Sequence, residues 1–295
     1  MAMKNSNKIP TRLSKNDFDT FILPFLTIAK RGYVSQIPLY LIFNGILYVI
    51  YTGCQWTALP TKEFADEETG KKLSYQAFYY HFRKWSNCDD FKYLFKMSLI
   101  AISMHIDLSE LNLDGTHTIA KKGGESVEYQ GRKKAKTSNI FPITDKNGNV
   151  VSFLPVLSGN HNDAYEVDER LNNVLHEMKW MEQHTLGSNL EKGSIQGSFL
   201  NADSGFDTKK VRKTCFNHGV IPNILENPRG RKTTKKGRKR LFDAQRYKNR
   251  FVCERTYAWH DKFRGLIIRF DKKEKYWTAK NILVFVMVNL RYNFS

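Results

Sequence analysis

From about residue 15 to 105, apolar residues recur at helical spacing in four stretches. These are DFDTFILPFLTIAKRG, IPLYLIFNGILYVIY (37–51), SYQAFYYHFRKWSN and FKYLFKMSLIAISM. The pattern predicts a helical N-terminal region. In its third helix Ser74 is placed at the N-cap, Phe78, Phe82 and Trp85 turn inward, and Trp56 joins the core. TKEFADEETGKKLS (61–74) is charged, contains Gly70 and reads as a loop.

After His105 the texture changes. LNLDGT (111–116) is a short apolar run ending on Asp114. NIFPITDKNGNVVSFLPVLSGN holds two β-rich runs around Asp145-Lys146-Asn147-Gly148, a hairpin signal. DAYEVDERLNNVLHEMKWMEQ (163–183) predicts an amphipathic helix with Asp163 at its N-cap. GSFLNADSGFD predicts a strand ending at Asp203. A helix over about 207–218 follows, with Asp207 as its N-cap, then a strand in GVIPNIL (219–225) and one long helix over about 243–262. Strands alternating with helices predict an α/β class, with acidic residues falling at strand ends.

Charge narrows the partner. The formal net charge is +18 and the pI about 9.6, an excess that calls for a polyanion such as nucleic acid or an anionic membrane surface. The membrane reading is weak, because the 37–51 run is short for a span and is interrupted by Asn44 and Gly45. The opening residues are polar, with no apolar signal core. Cys54, Cys88, Cys215 and Cys253 are scattered and form no CxxC pair, so reduced cytoplasmic thiols are expected rather than zinc or disulfides. The expectation is a soluble nucleic-acid-binding protein with no membrane partner.

Asp114 and Asp203 share a setting: each follows an apolar strand and precedes Gly115 or Ser204-Gly205. Two such strands side by side bring two carboxylates to one point. Oxygen ligands suit Mg²⁺, and a pair of such ions serves phosphoryl transfer. Two carboxylates hold two ions poorly, and Glu254 is the expected third. On a helix, Tyr247, Arg250, Glu254 and Tyr257 share one face, which suggests Glu254 on metal, Arg250 on a phosphate and Tyr247 hydrogen-bonded nearby. The plainer readings are turn residues or caps for the aspartates, and an i,i+4 pair with Arg250 for Glu254. His117 reads equally as an outer partner of the site or as a buried structural residue.

NLDGTH, NADSGFD and YKNRFVCERTYAWHDKFRG resemble the three catalytic motifs of DDE transposases of bacterial insertion sequences, in the insertion-sequence-4/5 superfamily and its insertion-sequence-5-like group. Tyr247, Arg250 and Glu254 match the last motif. Its expected Lys position is occupied by Asp261, with Lys262 one residue later. TGCQWTALP with SYQAFYYHFRKW, and the hairpin region GRKKAKTSNIFPITDKNGNVVSFLPVLSGNHNDA, are similar to the same group, so the resemblance covers nearly the whole chain.

The resemblance implies an all-α DNA-binding domain over 1–107 and an RNase H-like catalytic domain over 108–295, a mixed central sheet flanked by helices. It implies Asp114, Asp203 and Glu254 as the catalytic, metal-binding triad, with two Mg²⁺ ions for which Mn²⁺ can substitute. The activity implied is endonucleolytic strand cleavage at the terminal inverted repeats of a mobile element, then 3′-hydroxyl strand transfer into target DNA. A homodimer on paired ends and a place at the bacterial nucleoid go with it. A nuclease on the same fold without strand transfer, and a non-catalytic DNA-binding derivative, are the rival readings.

The most basic stretch, RGRKTTKKGRKR within 227–240, has no acid. Beside the proposed triad it reads as a phosphate-binding arm through Arg231, Lys235, Lys236, Arg238, Lys239 and Arg240, against a plain solvated loop. Lys133, Lys134 and Lys136 could add to it. The SYQAFYYHFRKW helix reads either as a recognition helix presenting Ser74, Gln76, Tyr79 and Arg83 to DNA or as an ordinary core helix.

Overall fold

The computed structural model describes residues 8–28, 35, 37–186, 193–227 and 240–294. In chain order the elements are α1 (Lys15–Phe21), α2 (Leu39–Thr52), α3 (Tyr75–Asn87), α4 (Asp90–Ala101), β1 (Glu110–Leu113), β2 (Thr116–Ala120), β3 (Glu128–Gln130), β4 (Ala135–Asp145) and β5 (Val150–Ser158). Then come α5 (Val167–Met181), β6 (Phe199–Ala202), α6 (Lys209–Asn217), β7 (Ile221–Ile224), α7 (Ala244–Lys248), α8 (Phe251–His260), β8 (Ile268–Arg269) and α9 (Glu274–Asn289). The class is mixed α/β, as the pattern predicts. No helix among the described residues is long and apolar enough to cross a membrane.

The chain forms two compact units, one of Met1–Ile102, Thr118–Glu125 and Ala258–Ser295, the other of Ser103–His117 and Ser126–Tyr257. The first unit takes in α9, which packs with α3 and α4. α9 is apolar nearly all round and buried from Ala279 to Asn289, the condition of a helix enclosed by others.

In the first unit, Phe78, Phe82 and Trp85 are fully buried, as their spacing on α3 predicts. Trp56 is half-buried against Tyr79 and Phe82. Ser74 sits at the N-cap position, but its side chain makes no cap bond. The two residues that interrupt the 37–51 run serve packing. Asn44 clasps the backbone of Leu13, its Oδ1 accepting from the N–H at 2.8 Å and its Nδ2 donating to the carbonyl at 2.9 Å. Gly45 lets α3 approach α2: a Cβ there would lie 2.4 Å from the Phe78 ring. Phe78 is buried against Phe64 and has no room to retreat. Overpacking costs about 1–3 kcal/mol, more than the ~1 kcal/mol that alanine gains over glycine inside a helix. Gly45→Ala is therefore expected to lower the urea midpoint, and a raised midpoint would refute this packing account.

In the second unit β1 lies between β6 and β4, parallel to β6 and antiparallel to β4. β7 extends the sheet parallel to β6, while β3 and β5 pair antiparallel with β4. All of β1 is buried, as expected of a central strand covered on both faces. The predicted hairpin is β4–β5. Its turn is held by Asp145, whose Oδ1 accepts from the N–H groups of Asn147 and Asn149, and Gly148 supplies the positive φ (+84°).

Three local expectations are corrected. The helix expected from residue 163 begins at Val167, with Glu166 left-handed before it; Asp163 is held elsewhere, by Asn139. The N-cap of α6 is Thr208, whose Oγ1 accepts from the Val211 N–H, because Asp207 is engaged by arginines. The single helix expected over 243–262 is two, α7 and α8, broken at Asn249-Arg250. Asn249 and Arg250 both reach out to acidic groups on and just beyond β1, and that competes with a continuous helix.

Candidate active site

The parallel register of β1 on β6 pairs Leu113 with Ala202. The next residue on each strand is an aspartate, so Asp114 and Asp203 leave the same sheet edge side by side. Ligands of α/β sheets gather at such carboxyl ends. Each carboxylate spends one oxygen on the turn that follows: Asp114 Oδ1 accepts from the Gly115 N–H at 2.9 Å, and Asp203 Oδ1 from the Gly205 N–H at 2.8 Å. Asp114 Oδ2 accepts from Arg250 Nη2 at 2.9 Å.

The electrostatics follow from this crowding. Burial lifts the Asp114 carboxyl above the usual range, Arg250 and the Gly115 N–H pull it back, and Asp203 and Asp163 push the same way as burial. Arg250 holds its proton more tightly than usual, because Asp114, Tyr247 and Asp203 outweigh its burial. It is a fixed positive charge at the strand ends.

α8 presents two faces. Val252, Cys253 and Thr256 are buried, with Thr256 Oγ1 donating to the Gly148 carbonyl at 3.1 Å and Cys253 Sγ 3.6 Å from Thr144 Oγ1. The other face carries Glu254 and Tyr257, just after Arg250. The Tyr257 hydroxyl donates to the Asp114 carbonyl at 2.8 Å. Arg250 and Tyr257 both touch Asp114; Glu254, in the first turn of α8, is exposed. Burial pushes the Cys253 thiol up to about 12, which removes it as a nucleophile. Burial also raises the Tyr257 phenol well above its ordinary value, so it stays a donor.

Beside Asp114 lies a polar group that sequence reading left undecided. Asn139 Nδ2 donates to Asp163 Oδ1 at 2.8 Å and stands 3.2 Å from His117 Nε2. An amide nitrogen only donates, so His117 Nε2 is the acceptor and Nδ1–H faces Thr137 Oγ1, 3.2 Å away. Burial lowers the His117 pKa, consistent with the neutral ring this network needs.

The remaining predicted residues are distributed as follows. Tyr247 packs its ring on Phe242. Lys262 is exposed on the turn after α8. Gln76 and Arg83 are exposed on α3, where the Arg83 guanidinium lies over Tyr79 and its Nε donates to the Tyr276 hydroxyl at 3.1 Å. Arg240 pairs with Asp207 and, at 3.5 Å, with Glu226. Arg231, Lys235, Lys236, Arg238 and Lys239 lie outside the described residues.

The oxygen-only donors Asp114 and Asp203 fit a hard divalent cation. Among the described residues, no three His, Cys, Asp or Glu side chains gather closely enough to hold an ion; Arg250, not a third carboxylate, makes the direct contact to Asp114.

Residues 106–290 match a family described as "Transposase DDE domain". The chain belongs to the DDE transposases. Residues 20–95 match a second family, "Putative transposase of IS4/5 family". Comparison with curated proteins and with solved structures returned no match. The transposase is thus an RNase H-like member of a class of DNA-binding enzymes that cleave and transfer DNA strands, generally with divalent metals. In this transposase the Asp114 and Asp203 strand ends, Arg250 and the outer face of α8 all lie within the matched region.

Proposed function

We propose that the protein binds the terminal inverted repeats of an insertion sequence, cleaves the DNA strand there, and joins the freed 3′ end to target DNA in the bacterial cytoplasm. The observation that carries this reading is the β1–β6 register, which sets Asp114 and Asp203 side by side, with Arg250 on Asp114. Asp114, Asp203 and Glu254 are the residues that would hold two Mg²⁺ ions, with Mn²⁺ as a substitute. When bound, such ions activate a water or a 3′-hydroxyl and stabilise the leaving oxygen.

The chain's own groups do the rest. Arg250 offers permanent positive charge to a phosphate arriving at the strand ends. Tyr257 fixes the Asp114 carbonyl and so the direction in which β1 ends. The basic residues of 227–240, with Lys262, Gln76 and Arg83, hold the duplex mainly through its phosphates. In the first reaction water attacks the scissile phosphorus and the 3′-oxygen leaves. In the second, that 3′-hydroxyl attacks a target phosphodiester and displaces the target's own 3′-oxygen. Two copies of the chain on paired ends would allow both ends to be joined together.

The test uses pre-nicked element ends, a target plasmid and the purified protein with Mg²⁺. Joined end–plasmid products are expected. Cleavage of intact ends without joining would leave a nuclease on this fold.

A further inference from the structure

One row behind the two aspartates runs a ladder of buried asparagines. Asn112 on β1, Asn201 on β6 and Asn223 on β7 are in register, and all three are 0–1 % exposed. Asparagine is depleted in strands, and a buried amide is costly unless bonded. These are bonded in one direction. Asn223 Nδ2 donates to Asn201 Oδ1 at 2.7 Å, Asn201 Nδ2 to Asn112 Oδ1 at 2.9 Å, and Asn112 Nδ2 to the Asp145 carbonyl at 3.4 Å.

The ladder's β7 end grips the next segment. Asn223 Nδ2 donates to the Asp243 carbonyl at 3.0 Å and Asn223 Oδ1 accepts from the Asp243 N–H at 2.8 Å, the pairing of a strand rung. Asp243 in turn caps α7, its Oδ1 accepting from the N–H groups of Gln245 and Arg246. Strand alternation places Glu110, Asn112 and Asp114 on one face of β1. Glu110, 2 % exposed, accepts from Asn249 Nδ2 at 3.0 Å, with Arg246 Nη1 at 3.4 Å. The chain from Asp243 to Arg250 is therefore tied at its start by Asn223, in its middle by Glu110 and at its end by Asp114.

We propose that Asn112, Asn201 and Asn223, with Glu110, are positioning residues for the strand-cleavage reaction. They lock β1, β6 and β7 to one another and set where α7 begins, so that Arg250 and Glu254 arrive opposite Asp114 and Asp203. The inference rests on the site reading proposed above.

Asn223→Leu keeps the volume and removes both bonds to Asp243. It is expected to retain fold by circular dichroism and to leave the KM for end DNA within about threefold. Its kcat for cleavage should fall by about 100-fold, and its α7 amides should exchange at least about tenfold faster while β1 amides stay protected. A folded Asn223→Leu with kcat within about threefold of wild type and unchanged α7 exchange overturns the proposal. Should Asn223→Leu fail to fold, Asn223→Asp decides. Its carboxylate donates no bond, whereas its protonated carboxyl keeps the acceptor and restores one of the two donated bonds, so its cleavage rate relative to wild type must rise as pH falls, and a flat ratio overturns the proposal. If wild type itself does not cleave, the site reading fails separately and α7 exchange alone decides: faster exchange supports positioning, unchanged exchange overturns it.

Discussion

Asp114→Asn, Asp203→Asn and Glu254→Gln are each expected to lower divalent-ion-dependent strand cleavage by about 10³-fold or more, while affinity for end DNA is expected to stay within about threefold because the proposed phosphate contacts lie on basic residues elsewhere. The amide variants are the informative ones. Asp114 and Asp203 each hold a backbone N–H of the following turn, and asparagine can keep that bond while losing the charge. Alanine at either place adds the loss of a turn bond, whereas the loss of the half-buried Arg250's ion pair is common to asparagine and alanine at position 114. Glu254 is exposed, so Glu254→Ala should abolish cleavage with no loss of stability. Quantitative cleavage of a labelled end duplex, beside a binding titration, decides the matter. Full cleavage by any one of the three variants sinks the triad.

The largest stability effect is expected at Asp207. Its side chain is buried and accepts from Arg212 Nε at 2.8 Å, from Arg240 and from the Asn227 N–H at 2.9 Å. Arg212 continues to the Ile224 carbonyl at 2.8 Å, so this acid joins the turn after β6 to the end of β7. Asp207→Ala leaves a buried guanidinium without its counter-charge, a change worth about 3–5 kcal/mol. That corresponds to a Tm lower by roughly 6–20 °C for a chain of this size. The pH dependence has a definite sign. Burial acts to raise the Asp207 carboxyl, but the Asn227 N–H, Arg212 and Arg240 together hold it below the usual 3.8. A carboxyl lowered in the folded state contributes stability above its unfolded value and loses it as pH falls through the folded value. Wild type should therefore lose more stability than Asp207→Ala on titration from pH 5 downward toward pH 2, a window set by that lowered carboxyl. Parallel loss in the two proteins would show that the ion pairs contribute nothing.

Much of the site was legible in the residues because strand-end chemistry is local. Asp114 before Gly115 and Asp203 before Ser204-Gly205 announce a carboxylate on a turn, and the hairpin around Gly148 follows from turn chemistry alone. The asparagine ladder had a signal that went unused: Leu-Asn-x-Asp occurs at 111–114 and again at 200–203, and ELNLD alternates polar and apolar rather than forming an apolar run. α9 also had one, the unbroken ILVFVMV of 282–288.

The sequence by itself determined most of the helix and strand segments as far as β7, the sign of the charge, and which carboxylates end strands, since these follow from composition and from neighbours within a few residues. Only the tertiary structure decided what those groups touch. β1 pairs parallel with β6, and that register, not the 89 positions of chain between Asn112 and Asn201, sets Asp114 beside Asp203. Arg250 chose Asp114 over Glu254, and Asp207 took two arginines instead of capping α6. For Arg250 the partner is a charge far along the chain brought close by folding, and for Asp207 one arginine is five residues on and the other 33; held partly or wholly out of water, these charges outbid the partner that spacing suggests.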